Sequence, residues 1–392
     1  MRKAWLLLAF SLLVGLGMNL AHPVTPAHLN TIGIDKAMFG VMFASMNLGQ
    51  FIFAPFWGNL GDQKNRTWVA FIGLVGYAIS QFLFGYVTNV YLVILVRFMA
   101  GVFACAILSN GLAHISVNKN FENNKAKLIS LFVAFNVMGA TIGYYIGGFV
   151  GDFFVGQEYV LMYTQGFYNL ILAGLTITFL KMDEEIKIVK KRQSAIAQLA
   201  QIKKLSKELF LLIIIIALVS ISQTNFSKYL DMYIKDLHYK PSVNGTLVFV
   251  TGIVTLIMSF LVVPHLNKRY KETNTILVVV ILQAIFSALT FSLNQDLFLV
   301  WGYTFFMVYI AGKAIYEPTI ASHLSKYTDV SPGVLMGSRQ SAISLGAIIG
   351  PLVAGIIYDD IGVYLFLILS GILALSAVLL FIYKERVNIW EL

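Results

Sequence analysis

With 392 residues, 58% of them hydrophobic and 12% charged, and a mean hydropathy of +0.78, the chain is too apolar for a soluble globular protein and is read as an integral membrane protein. Its net charge of +9, from 28 basic and 19 acidic residues, then reports loop topology and contact with anionic lipid, not nucleic-acid binding. The single Cys105 excludes an intramolecular disulfide or a cysteine metal site.

A helix needs about 20 mostly apolar residues to cross hydrocarbon, and such windows lie at 4–25, 38–57, 68–88, 90–115, 128–151 and 160–180. Six more follow at 209–232, 243–264, 274–294, 297–322, 334–358 and 363–383. Continuous runs such as LFLLIIIIALV lack the alternation of a membrane β-barrel, so each window predicts a helix with its backbone satisfied internally. Arg2 and Lys3 before the first run imitate a secretory signal, but loss of that run would remove one span and break the charge alternation. It is therefore retained as span 1.

The gaps on the N-terminal side hold 22 of the 28 basic residues, among them Lys64, Arg66, Lys125, Arg192, Lys268, Lys326 and Arg339. The opposite gaps hold only Lys36, Lys235 and Lys240, which places both termini in the cytoplasm. Arg97, Lys228 and Lys313 remain within spans or near their ends. The one long charged gap divides the chain into an N-terminal six-helix half at 1–181, a cytoplasmic linker at 182–208 and a C-terminal six-helix half at 209–392. The linker is expected to lie partly as an amphipathic helix on the membrane surface. An offset of 207 to 209 residues brings Pro55 onto Pro264 and AHIS at the end of span 4 onto SHLS at the end of span 10. It also brings Gly139, Gly143 and Gly147 of span 5 near Gly346, Gly350 and Gly355 of span 11, and the shared offset favours duplication.

Motifs then follow in chain order. Span 1 contains LGMNLAHPVTP, with Pro23 and Pro26; the gap after span 2 reads GNLGDQKNR, with Gly58, Leu60, Asp62 and Arg66. Span 4 carries Arg97 and Gly101, span 5 GATIGYYIGG from Gly139 to Gly148, and span 11 GAIIGPLVAG with Gly350 and Pro351. These stretches resemble signatures of the major facilitator superfamily over the full length of the chain, and the span 1 pattern L-G-x5-P-v-x-P is similar to that of its twelve-helix drug:proton antiporter branch. Asn65 stands where the family's gap motif has glycine, Ala100 where span 4 has glutamine, and Tyr144 where span 5 has proline.

The resemblance implies an all-α membrane protein of twelve transmembrane helices in two pseudo-symmetric six-helix halves. It also implies a conformational latch at Gly58, Asp62 and Arg66, a part in proton handling for Arg97, and helix packing through Pro23, Pro26, Gly139, Gly143, Gly147, Gly148, Gly346, Gly350 and Pro351. From the residues themselves, an arginine inside a span is a functional candidate by its desolvation cost, with a structural donor as the plainer alternative. Lys313 and Glu317 are four apart on one face of span 10, where Glu317 reads as the only carboxylate well inside a span. The pair is either a reversible proton site or a permanent ion pair, and Pro318 beside it is expected to kink the helix. Asn19, His22, Asn110, Asn136, Tyr144, Gln223, Asn225, Tyr309 and Tyr316 are cavity candidates, each weighed against plain helix packing.

No histidine or carboxylate group has metal-ligand spacing and no phosphate-binding glycine loop is present. The expectation is a non-enzymatic carrier that needs no bound cofactor: a secondary transporter driven by the proton gradient, monomeric, in the bacterial cytoplasmic membrane. Its partners are then a small-molecule substrate, protons and membrane lipids. Proton-coupled efflux of drug-like or amphipathic molecules is the first reading. A sugar or glycolipid exporter or flippase, a proton symporter, and a non-transporting receptor or scaffold stand as alternatives.

Overall fold

The computed structural model describes residues 2–180, 182, 205–327 and 332–390. The amphipathic helix expected in the linker lies outside the described residues. Among those residues all regular structure is helical: α1 (Arg2–Asn19), α2 (Thr25–Thr31), α3 (Lys36–Gln63), α4 (Arg66–Tyr86), α5 (Val90–Val117), α6 (Lys125–Gly151) and α7 (Tyr159–Phe179). There follow α8 (Lys207–Asp236), α9 (Pro241–Ile257), α10 (Val263–Arg269), α11 (Glu272–Ser292), α12 (Phe298–Tyr303), α13 (Phe305–Ser325), α14 (Pro332–Ile361) and α15 (Tyr364–Trp390). Among the described residues eleven helical segments are long and apolar enough to cross a membrane, and Gln295–Tyr303 with Phe305–Ser325, bent by 43°, make a twelfth when counted as one broken span.

Proline explains two departures from straight spans. Span 1 runs on to Thr31, beyond the expected 25, by way of a 3₁₀ turn at His22–Val24 and then α2. Pro23 and Pro26 fall in the first turns of these two elements, where a missing N–H costs nothing. In span 8, Pro264 withholds the donor that the Phe260 carbonyl would receive, and Met258–Val262 open into a π turn. The bend of span 10 differs from expectation: α13 is continuous through Pro318, and the break lies at Thr304.

Two compact units form, Met1–Ser194 with Ile234–Gly252, and Ala195–Tyr233 with Ile253–Leu392. In the first unit α1 packs on α6, α5 on α3 and α4, and α4 on α7. Without hydrocarbon–water contrast to drive it, this packing depends on close backbone approach. Gly139, Gly143 and Gly147 sit over the carbonyls of Leu12, Leu16 and Leu20, where a Cβ would come within 1.9, 2.4 and 1.7 Å. Gly148 turns to another neighbour, the Pro241 carbonyl, which its Cβ would approach to 2.6 Å. Ser11 Oγ donates to Phe132 O at 2.6 Å and fixes α1 against α6.

In the second unit α11 packs on α13 and α15. Ser220 Oγ donates to Ile343 O at 2.8 Å between α8 and α14. Gly346 lies beside Ser220 and the Ala217 carbonyl, and Gly350 beside Asn225. Phe226, Phe291 and Phe366 form an aromatic core, the last two stacked at 4.0 Å.

Candidate functional site

The gap between α3 and α4 is closed by its own charges. Arg66 Nη2 donates to Asp62 Oδ1 at 2.8 Å, both side chains buried, and Asn65 caps α4 by accepting from Trp68 N at 3.0 Å. The residue that departs from the family's glycine thus starts the next helix. Gly58 is buried in α3, while Gly61 lies so close to Asn110 Oδ1 that a Cβ would meet it at 1.9 Å.

Arg97, on α5, is 2% exposed. Its guanidinium carbon stands 4.8 Å from the centroid of Phe84 and 5.7 Å from that of Phe43, and Nη2 reaches Met46 Sδ at 3.3 Å. Nε has no hydrogen-bond partner, and none of the ion pairs among the described residues involves Arg97. Aromatic faces offset part of the desolvation of a cation, by about 2 kcal/mol in a dry setting, but do not neutralise it. Phe43 also flanks His22, whose ring stacks on Tyr144 at 5.6 Å and 7°. Tyr144, standing where the family has proline, therefore contributes an aromatic face to the same region of the first unit.

Two buried titratable residues near Arg97 escaped sequence reading. His28 Nε2 is 3.1 Å from Phe84 O, and Glu158 accepts from Thr31 Oγ1 at 2.9 Å and from Gly156 N at 2.8 Å. His28 interacts electrostatically with both Glu158 and Arg97. It was missed because span 1 was expected to end at 25, which placed His28 in a loop; the Pro-x-x-Pro turn that lets the helix resume was the available signal.

In the second unit Glu317 has a partner other than the one expected. Arg339 Nη2 donates to Glu317 Oε2 at 2.5 Å, and no ion pair joins Glu317 to Lys313 among the described residues. Lys313 on α13 retains an electrostatic interaction with Glu317. Arg339, counted from sequence as a gap charge, lies in α14 with its side chain 17% exposed, whereas that of Glu317 is 42% exposed. The window 334–358 already contained position 339, and that was the overlooked signal. Nor is Glu317 the only carboxylate inside a span: Asp231, within the 209–232 window, is buried in α8.

The pair borders a tight recess lined by Ile216, Ser220, Tyr316, Ile320 and Ile343. Drug-sized pockets run to roughly 300–1,000 Å³, whereas this recess leaves no room even for a water, so nothing enters beside the carboxylate unless a side chain moves. Tyr316 and Tyr309 are 2% and 1% exposed, and neither hydroxyl has a hydrogen-bond partner. The ring of Tyr309 packs on Phe226 and Phe306.

The amide candidates are used differently. Asn19, Asn110, Asn136 and Asn225 donate to the carbonyls of Gly15, Ala106, Ser11 and Ile221, and Gln223 donates to Gln283 Oε1. Only the bonds of Asn136 and Gln223 join two helices; those of Asn19, Asn110 and Asn225 turn back onto the preceding turn of their own helix. Pro351 lies inside α14 and accepts at its carbonyl from the Tyr229 hydroxyl at 3.3 Å.

Comparison with known proteins agrees with this architecture. The sequence profile of the Major Facilitator Superfamily matches residues 7–331. The chain is 25% identical over 368 residues to quinolone resistance protein NorA of Staphylococcus aureus (strain MSSA476), covering 92% of this chain and 91% of that protein. It is 23% identical over 383 residues to multidrug resistance protein 2 of Bacillus subtilis (strain 168), covering 95% and 93%. Among solved structures, a mutant of the nucleoside transporter NupG superposes with a TM-score of 0.80 at 16% identity over 98% of this chain and 99% of that one. A bacterial homolog of the human lysosomal transporter Spinster, inward-facing and occupied, gives 0.76 at 12% identity over 97% and 96%.

Proposed function

Because the chain belongs to the major facilitator superfamily and is a multi-pass small-molecule transporter of the cell membrane, not an enzyme, we propose that it exports drug-like or amphipathic compounds in exchange for protons. It works as a monomer among membrane lipids, needs no bound cofactor and takes its energy from the proton gradient. The names of the two bacterial relatives, aligned over more than nine-tenths of the chain, support the substrate class. The observation that carries the coupling is the Glu317–Arg339 pair, a carboxylate inside a span that is 42% exposed and held by a cation.

A proton arriving on Glu317 cancels the charge that attracts Arg339 and weakens the bond between α13 and α14; its departure restores both. Arg97 is a fixed charge in an apolar cage, and Asp62 with Arg66 is a latch whose bond differs between conformations. Everted membrane vesicles test the reading. With an acid lumen established and a pH-sensitive dye inside, adding a quinolone is expected to alkalinise the lumen as drug enters and protons leave. Acidification, or drug entry indifferent to collapse of the gradient, would overturn it; Glu317→Gln is expected to abolish the dye response.

A further inference from the structure

We infer that the α13 face carrying Lys313, Tyr316 and Glu317, together with Arg339 of α14, is a subsite for a carboxylate group of the transported molecule, with Glu317 as its resident occupant. The inference rests on the export reading and names a substrate class for it.

Three observations point to an anionic head group. Arg339 meets Glu317 through Nη2 while Nε, on the same edge of the guanidinium plane, has no acceptor. A carboxylate with two oxygens to offer satisfies that edge in the bidentate manner to which arginine is suited. The Tyr316 hydroxyl, 2% exposed and without a hydrogen-bond partner, borders the same recess and interacts electrostatically with both Glu317 and Arg339. Lys313 interacts electrostatically with Glu317 but has no ion pair among the described residues, so two cations stand against one carboxylate. A cationic ligand would add to an existing excess of positive charge, whereas a carboxylate balances it. Ile216, Ile320 and Ile343 close around these polar groups with no room for a water, so a ligand carboxylate fits only in the place that Glu317 vacates, with its apolar body against the isoleucines.

The order of events follows from the pair. Ionised Glu317 occupies Arg339 and excludes the ligand carboxylate. Protonated or displaced Glu317 leaves the guanidinium edge open, with the Tyr316 hydroxyl available as a further donor.

Binding to purified protein, without a gradient, provides the test. The probes are 1-pyrenebutyrate, its methyl ester and the lipophilic cation tetraphenylphosphonium. The free acid is expected to bind about tenfold tighter than the ester, the difference made by charge-assisted hydrogen bonds. Lys313→Met and Tyr316→Phe should each narrow that ratio by roughly threefold or more, the loss falling on the acid more than on the ester. Tyr316→Phe removes one oxygen atom and keeps the ring, so it also serves if Lys313→Met fails to fold. Equal binding of acid and ester, binding of neither, preference for the cation, or variants that weaken both probes alike would overturn the inference. Lost acid preference with proton-driven export intact sinks this inference alone. Acid preference without proton-coupled flux sinks the export reading alone.

Discussion

The two compact units share a helix lock and differ in their charges. In the first, Ser11 joins α1 to α6; in the second, Ser220, 209 positions later, joins α8 to α14, and glycines line both crossings. The same offset carries Arg97 onto Phe306 and Leu108 onto Glu317, so neither intramembrane charge has a counterpart. The crossings that hold each bundle together recur in both units, while each of these charges stands in one unit only. Arg97 is enclosed by Phe43 and Phe84, and Glu317 is paired and 42% exposed. On the proposed function, the shared features serve stability and the unshared ones serve transport.

The largest effect is expected where the shared crossing is tightest. Gly147→Val would drive a Cβ to within 1.7 Å of the Leu20 carbonyl, a backbone atom that moves only if α1 and α6 separate. The loss should be about 3 kcal/mol or more, seen as a collapsed monodisperse fraction after detergent extraction. Gly350→Ala in the second unit meets chiefly the Asn225 amide, at 2.6 Å, the end of a side chain that can rotate away. It should cost about 1 kcal/mol. Equal losses at the two glycines would show that the crossings are not built to different tolerances.

Next come the unshared charges, where stability and transport should part company. Arg97→Leu places an apolar side chain in an apolar cage, and replacement of a buried charge in this way is commonly neutral or stabilising. The melting temperature should hold or rise while drug efflux falls by about tenfold or more. Glu317→Gln keeps a hydrogen-bond acceptor for Arg339 at a half-exposed site, so the stability cost should be about 1 kcal/mol or less. Flux should then continue down a drug gradient but no longer respond to a proton gradient. If Arg97→Leu instead unfolds the protein and leaves the flux of the surviving fraction normal, the cage is structural.

This division also sets what could be read from sequence. The spans were legible because hydrocarbon thickness and backbone satisfaction leave long apolar runs one conformation, and the glycine series because it repeats at a fixed offset. Partners were harder. Lys313 and Glu317 share a helix face, but side-chain reach and the approach of α14 decide that Arg339 takes the carboxylate, and one-dimensional spacing contains no record of that approach. His28 and Glu158 were hidden for a local reason, since a proline-bearing turn resembles the end of a span until the helix resumes beyond it. Of the amides Asn19, Asn110 and Asn136, sequence could not single out Asn136, whose bond to Ser11 crosses to another helix while the other two bond within their own.

The smallest expected effect is the most direct measure of the repeat. Ser11→Ala and Ser220→Ala each remove one interhelical hydroxyl bond, of 2.6 and 2.8 Å, and leave the carbonyls of Phe132 and Ile343 without that donor. In a membrane such bonds average about 0.6 kcal/mol, because the unfolded reference also finds partners. Each variant should therefore lower the melting temperature slightly, and by a similar amount, without altering efflux. The pair of substitutions should add, because the two bonds lie in different compact units and share no residue. If Ser220→Ala also reduces transport, the explanation lies in its second position: Ser220 lines the recess beside Glu317 and Arg339, whereas Ser11 is buried between α1 and α6. A change in flux confined to Ser220→Ala would thus show the recurring lock serving transport in the unit that holds Glu317.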